Sequence, residues 1–339
     1  MSKIKTRYIC SNCGATASGW MGKCPECNAW DTMVEEVVSG KQGLASQKTR
    51  ESSASVPTLL SEISMETEMR VSVGDPELER VLGGGVVPGS VILLAGEPGA
   101  GKSTLLLQIA SNPTLKMLYI SGEESTSQIK MRAQRLGIKG DHCHILAETD
   151  LYKITEAITT IQAGLVVIDS IQTMYSPELE SVPGSVSQIR ECSYKLQQLS
   201  KSTGITIILV GHMTKEGDIA GPRLMEHIVD VVLHLEGDRQ YNLRLLRSVK
   251  NRFGSTREIG IYEMKGLGLV PVENPSEWLI PADHQHRASG SCIALVCEGF
   301  RPFLIETQAL VSTAVYGTAQ RSTSGYDVRR LHRMLAVLE

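Results

Sequence analysis

Val91-Ile92-Leu93-Leu94-Ala95-Gly96-Glu97-Pro98-Gly99-Ala100-Gly101-Lys102-Ser103-Thr104 opens with five apolar residues and ends in a glycine-rich turn closed by a lysine and two hydroxyls. The apolar run reads as a strand buried on both faces, and Thr104–Ala110 reads as the helix that leaves the turn. Glycines are needed because several backbone N–H groups must face inward and approach a phosphate chain closely, where side chains would collide. Lys102 then reaches the β- and γ-phosphates, the Ser103 hydroxyl binds Mg²⁺, and the helix adds its N-terminal dipole. Gly96, Glu97, Pro98, Gly99, Ala100, Gly101, Lys102, Ser103 and Thr104 are the expected ATP-binding residues.

A phosphate cradle needs a metal-holding carboxylate beside it. Leu165-Val166-Val167-Ile168-Asp169 is a second buried strand that ends in an acid, so Asp169 is expected at the phosphate edge as the Mg²⁺ partner. Hydrolysis further requires a group to orient and deprotonate water. Leu118-Tyr119-Ile120-Ser121-Gly122-Glu123-Glu124 offers two acids at a neighbouring strand end. Glu123 is the candidate base; the alternative is a solvated pair that caps the following helix near Ser125–Gln128, with Glu124 as the cap of the two. Ile205–Val210 leads to Gly211-His212, where His212 is either a γ-phosphate sensor or a structural histidine.

The 339 residues exceed the usual single-domain size, which predicts one α/β core of roughly 200 residues with appendages. Hydrophobic content of 42% with 21% charge is that of a globular chain, and no apolar run approaches a bilayer span. The basic N-terminus lacks the apolar segment of a secretory signal, so the expected setting is the cytoplasm with no membrane partner. A net charge of −3 excludes binding of nucleic acid by bulk electrostatics and leaves only localised contacts.

Alternating short apolar runs and amphipathic helices from about 58 predict a mostly parallel sheet covered on both faces. Strands are expected at Val91–Ala95, Met117–Ser121, Leu165–Asp169, Ile205–Val210, Val229–Leu235 and Leu243–Val249. Asp75-Pro76 supplies an N-cap and a first-turn proline for a helix stopped by Gly83-Gly84-Gly85. Ser185 with Gln188 predicts a capping box, followed by an apolar face at Val186, Ile189, Cys192, Leu196 and Leu199. The expected boundaries are a zinc-binding module at 1–36, a linker at 37–57, the ATPase core at 58–273, and a β-rich domain from 274 to 339. That last domain is expected to be incomplete, because the chain stops inside the helix-like segment Val328–Glu339.

Cys10, Cys13, Cys24 and Cys27 follow the spacing C-x2-C-x10-C-x2-C, two knuckles able to close a tetrahedron of thiolates on Zn²⁺. Iron in a rubredoxin-like site is the chemical alternative. So small a module buries too little surface to fold alone, so the metal is expected to supply much of its folding energy. Trp20 and Trp30 are expected to pack on the knuckles, and Cys143, Cys192, Cys292 and Cys297 to be small buried apolar residues. Arg239, Arg244, Arg247, Lys250, Arg252 and Arg257 form a cationic strip, either a solvated strand face or a surface for phosphate or subunit contact.

Val73-Gly74-Asp75-Pro76-Glu77-Leu78-Glu79-Arg80-Val81-Leu82-Gly83-Gly84-Gly85, then Pro88-Gly89-Ser90 ahead of the P-loop, resembles the RecA/KaiC-type core. Together with the double CxxC, Ser121-Gly122-Glu123-Glu124-Ser125 and Lys250-Asn251-Arg252-Phe253-Gly254, the whole chain resembles the bacterial RadA (Sms) family. The resemblance implies a RecA-like P-loop core, an N-terminal zinc ribbon, and the beginning of a Lon-protease-like domain without protease chemistry. It also implies a DNA repair and recombination ATPase: a homo-oligomeric hexameric ring acting with the recombinase RecA on single-stranded and branched DNA, with ATP, Mg²⁺ and Zn²⁺. In such a core the base lies at the end of the strand after the P-loop helix, which is again Glu123. Lys250 and Arg252 would complete a neighbour's ATP site or contact DNA. The loops Gln172–Gly184 and Met213–Met225 would carry DNA contacts, with Lys215 and Arg223 as their basic candidates and Arg244 and Arg247 beside them on the strip. Ser111–Lys116 is shorter than the resemblance leads one to expect.

Overall fold

The computed structural model describes residues 5–10, 15–38, 59, 70–212, 223–237, 242–280, 289–313, 317 and 320–338. Cys13, Lys215, Arg239, the segment 39–57 of the expected linker and most of the second expected DNA loop lie outside the described residues.

The chain divides into two units. The first holds residues 1–275 with 297–301, and the second holds 276–296 with 302–339. Within the first, β1 (Lys5–Cys10), β2 (Thr16–Ala17) and β3 (Met33–Val38) form a small antiparallel sheet in the order β2-β1-β3. The main sheet is built from β4 (Val91–Gly96), β5 (Met117–Ser121), β6 (Cys143–Ala147), β7 (Leu165–Asp169), β8 (Thr206–His212), β9 (Val231–Gly237), β10 (Leu243–Asn251), β11 (Ile259–Lys265) and β12 (Gly268–Pro271). Its order is β12-β11-β10-β9-β4-β8-β7-β5-β6. The strands β9, β4, β8, β7, β5 and β6 pair in parallel, and β10 to β12 extend the sheet antiparallel.

Alternation along the central strands explains why they read as unbroken apolar runs. Ile92, Leu94, Leu165, Val167, Ile208 and Val210 pack into one core, with α1 (Pro76–Leu82), α2 (Lys102–Ile109) and α3 (Thr126–Arg135). Leu93, Ala95, Val166, Ile168, Ile207 and Leu209 pack into a second, with α4 (Leu151–Ile161), α5 (Val186–Thr203) and α6 (Arg223–Ile228). Each valine, leucine or isoleucine buried in this way stabilises the fold by about 1.5–3 kcal/mol. The mostly parallel, doubly covered sheet expected from the sequence is the one observed.

Asp75 caps α1 by accepting a bond from the Leu78 N–H at 2.8 Å, and Gly83 ends the helix at φ 84°. The Tyr262 hydroxyl donates to the same Asp75 oxygen at 2.7 Å, tying the start of α1 to β11. Two capping expectations change. Ser185 caps α5, but the Gln188 side chain does not reach back to it. It is buried against the preceding loop, accepting from the Ser176 N–H at 2.7 Å and donating to the Ser176, Leu179 and Ser181 carbonyls. The reciprocal box is at α3, between Ser125 and Gln128. Glu124 is not the cap; it pairs with Arg132 in the second turn of α3.

Of the scattered cysteines, Cys192 is buried in the second core and its thiol is pushed up to about 12 by burial. Cys143 is half-buried, and Cys292 and Cys297 are exposed, contrary to expectation. Those last two belong to β13 (Ser291–Glu298), which pairs with β14 (Arg301–Gln308) in a two-stranded sheet. The second unit holds most of these two strands, with α7 (Ser276–Leu279) and α8 (Val328–Leu338). No helix among the described residues is long and apolar enough to cross a membrane.

Replacing Asp75 by alanine removes a helix cap and orphans the Tyr262 hydroxyl. We expect a loss of about 1–2 kcal/mol in urea unfolding, and an unchanged midpoint would contradict the role of this cap.

Candidate active site

Strand β4 delivers the chain to the sheet's carboxyl edge, where the segment from Glu97 to Gly101 turns into α2. Two glycines are required by geometry. A Cβ on Gly96 would lie 2.3 Å from the Leu235 carbonyl oxygen, and Gly101 combines φ 107° with a Cβ position 2.9 Å from the Met264 methyl. The Lys102 ammonium curls over the turn, donating to the carbonyls of Gly96 at 2.8 Å and Glu97 at 3.0 Å. Burial lowers its pKa, and the nearby Asp169 and Glu123 carboxylates oppose that shift. Arg244 on β10 donates from Nε to the Ala100 carbonyl at 3.1 Å, so the antiparallel extension grips the turn from outside.

The carboxylates come to the same edge by register. Ser121 lies opposite Asp169 on β5 and β7, and His212 lies opposite Gly96 on β8 and β4. The Tyr119 hydroxyl donates to Asp169 Oδ2, and burial followed by the Asp169 charge raises the tyrosine's pKa well above its ordinary value. The Ser103 hydroxyl on the Tyr119 side opposes a small part of that shift. Beyond β5, Ser121 Oγ accepts from the Glu124 N–H at 3.0 Å and shapes the turn that presents Glu123. Glu123 Oε1 is met by Ser170 Oγ at 2.6 Å and His212 Nε2 at 3.3 Å. The structure thus gathers Lys102, Ser103, Glu123, Asp169 and His212 at one edge. This arrangement can hold a polyphosphate and its cation and present an acid to water.

Tyr119 and Ser170 were not singled out from the sequence. A tyrosine within a fully buried strand signals a hydroxyl that needs a partner, and Ser170 directly follows the strand-end acid. Gln172 opens the loop after β7. Both of its amide atoms, and His212 Nδ1, are buried without a protein partner.

Among the basic candidates, Arg244 reaches this edge, but Lys250 and Arg252 do not. Lys250 and Asn251 pair with Val232 and Val231, which lie beside Leu93 and Ile92 at the amino end of β4. That is roughly 10–13 Å along the strand from Gly96, towards the sheet's opposite edge. The Lys250 ammonium donates to the Glu226 and Val229 carbonyls at 2.5 and 2.7 Å; burial, then the Arg252 charge, lowers its pKa. Arg252 pairs with Asp230 at 3.2 Å, and the other Asp230 oxygen accepts from the Val91 N–H at 3.0 Å. Arg247 bridges Glu236 and Glu298, and Arg244 is on the P-loop. Arg223 begins α6, with its side chain outside the described residues. The expected strip is therefore divided among separate internal contacts.

In the N-terminal sheet the Sγ atoms of Cys10, Cys24 and Cys27 all lie within 4.8 Å of one another, and Cys10 and Cys27 are 3.7 Å apart. Tetrahedral zinc with Zn–S bonds of about 2.3 Å sets its thiolates about 3.8 Å apart, so the described cysteines fit that ion. Trp20 and Trp30 meet over Gly22 just ahead of the second knuckle, where a Cβ would lie 3.6 and 3.9 Å from their rings. They are 63% and 70% exposed, with the Lys23 ammonium 5.7 Å from the Trp30 ring centre.

A family model described as an AAA domain matches residues 60–218, and one described as a rubredoxin metal binding domain matches residues 8–35. DNA repair protein RadA of Listeria monocytogenes is 50% identical over 100% of this chain and 75% of its own length. RadA of Halalkalibacterium halodurans and of Bacillus subtilis are each 48% identical, with the same coverage. Among solved structures, a KaiC-like protein of Pyrococcus horikoshii aligns with a TM-score of 0.51 and 22% identity, covering 60% of this chain and 99% of that one, and so shares the fold. The P-loop edge is accordingly an ATPase site, and the cysteine cluster belongs to a zinc ribbon.

Zinc analysis of the purified chain should find one ion per chain, and Cys24→Ser should lose it together with the ribbon's resistance to proteolysis. A zinc-free chain with a protected N-terminal ribbon would contradict the metal's structural role.

Proposed function

The chain belongs to the RadA family of DNA repair proteins, and from that premise we propose that it is a DNA-dependent ATP hydrolase that moves on single-stranded DNA and promotes branch migration of recombination intermediates. The observation that carries the reading is the meeting of Lys102, Asp169 and Glu123 at one sheet edge. Lys102 neutralises the β- and γ-phosphates, and Ser103 with Asp169 holds Mg²⁺, which supplies charge stabilisation to the transferring phosphoryl group. Tyr119 fixes the Asp169 carboxylate. Glu123 orients and deprotonates water, and His212 responds to loss of the γ-phosphate through its contact with Glu123. We assign residues 1–36 to the zinc ribbon, 58–273 to the motor core and 274–339 to the start of a Lon-protease-like domain.

Lys250 and Arg252 cannot reach the P-loop of their own chain from the opposite edge, which supports a role on a neighbouring chain's nucleotide. A closed ring, hexameric in this reading, brings each such edge to the next ATP site. DNA is contacted by the loops that follow β7 and β8, with Lys215 and Arg223 as their cations. The cellular setting is the cytoplasm, with RecA as the partner recombinase.

ATP hydrolysis by the purified chain should rise several-fold with single-stranded DNA and lose that stimulation as salt increases. Turnover indifferent to DNA would overturn the motor reading in favour of a signalling ATPase. Lys102→Ala should abolish turnover, and Glu123→Gln should bind ATP normally but hydrolyse it about 10²–10⁴-fold more slowly. Normal turnover by either variant would remove the site assignment.

A further inference from the structure

Glu123 is 47% exposed at its side chain and stands on a turn, so a carboxylate with free rotors needs an outside restraint to face one point in space. Two groups supply it, and both bind the same oxygen. Ser170 Oγ donates to Oε1 at 2.6 Å, and His212 Nε2 lies 3.3 Å from Oε1. A carboxylate only accepts, so the contact is a hydrogen bond in the imidazole form that carries its proton on Nε2. With both donors on Oε1, Oε2 is the oxygen left to take a proton from water.

Ser170 is the more rigid of the two. It is fully buried, and its carbonyl accepts from the Thr173 N–H at 3.2 Å and the Thr173 hydroxyl at 2.8 Å. The Gly122 N–H donates to the Asp169 carbonyl at 3.0 Å, which locks the turn carrying Glu123 to the strand end carrying Ser170. The apposition is tight: a Cβ on Gly122 would lie 2.1 Å from Thr173 Oγ1. Ser170 therefore stands on a framework fixed to Glu123 from both sides.

We propose that Ser170 is the positioning residue of the hydrolytic site, holding Glu123 Oε1 so that Oε2 addresses the attacking water. The proposal rests on Glu123 being the base, and the test separates the two. ATP turnover and nucleotide affinity are measured for the full chain as Ser170→Ala, Glu123→Gln and the double variant. Ser170→Ala should lower kcat by roughly 10- to 100-fold while ATP affinity changes by less than about twofold. In the double variant, turnover should equal that of Glu123→Gln, because a residue acting only through Glu123 has nothing left to position. Wild-type kcat in Ser170→Ala would overturn the proposal, as would a further loss in the double variant by the same factor as in the single. Normal turnover by Glu123→Gln would instead remove the base itself, and the proposal with it.

Discussion

The polarity of six parallel strands governs the rest of the molecule. Because β9, β4, β8, β7, β5 and β6 all run the same way, the carboxyl ends of β4, β5, β7 and β8 lie at one edge. Lys102, Glu123, Asp169 and His212 are distant in sequence and meet only through that alignment. The same alignment sends the Lys250–Gly254 turn to the other edge, since β10 runs back against β9. One hydrogen-bonding pattern thus separates the two halves of the charge machinery by the length of a strand.

The antiparallel extension is more than added width. Gln108 of α2 donates to the Leu269 carbonyl at 3.0 Å and accepts from its N–H at 2.9 Å, serving the outermost strand as a neighbouring backbone would. Arg244 and Met264 press on the phosphate turn from the same extension. The extension also ends in Lys250 and Arg252, and Arg252 shares Asp230 with the first residue of β4. Strands that cradle one nucleotide are therefore continuous with the basic turn at the far edge. A buried pair adds to this frame: Glu77 of α1 accepts from Arg301 and from the Ile261 N–H at 2.7 Å. Removing one partner would leave the other charge buried and unmatched.

Much of this was legible in the sequence where one physical rule dominates. Apolar runs ending in Gly96, Ser121 and Asp169 gave strands whose ends are set by the first residue that must face the edge, and observed boundaries differ from expected ones by no more than two residues. The weakly amphipathic β6, with its half-exposed residues, and the short β12 lacked such a signal. Side-chain partnerships were less legible. Gln188 is spaced for a capping box yet serves a loop, because burial gave its amide four other groups to satisfy. The arginines of the strip looked like one surface in sequence, but alternation and register send them to different partners. Tyr119 and Ser170 became visible only when β5 and β7 were paired.

The central claim is that an ATP site made by one chain is completed by the basic turn of another. The direct measurement mixes Arg252→Ala chains, which keep an intact P-loop, with Lys102→Ala chains, which keep an intact basic turn, and follows ATP turnover as the ratio varies. The account predicts that the two inactive variants restore part of the activity when co-assembled, greatest near equal proportions. Mixed assemblies that form and stay inactive at every ratio would contradict it.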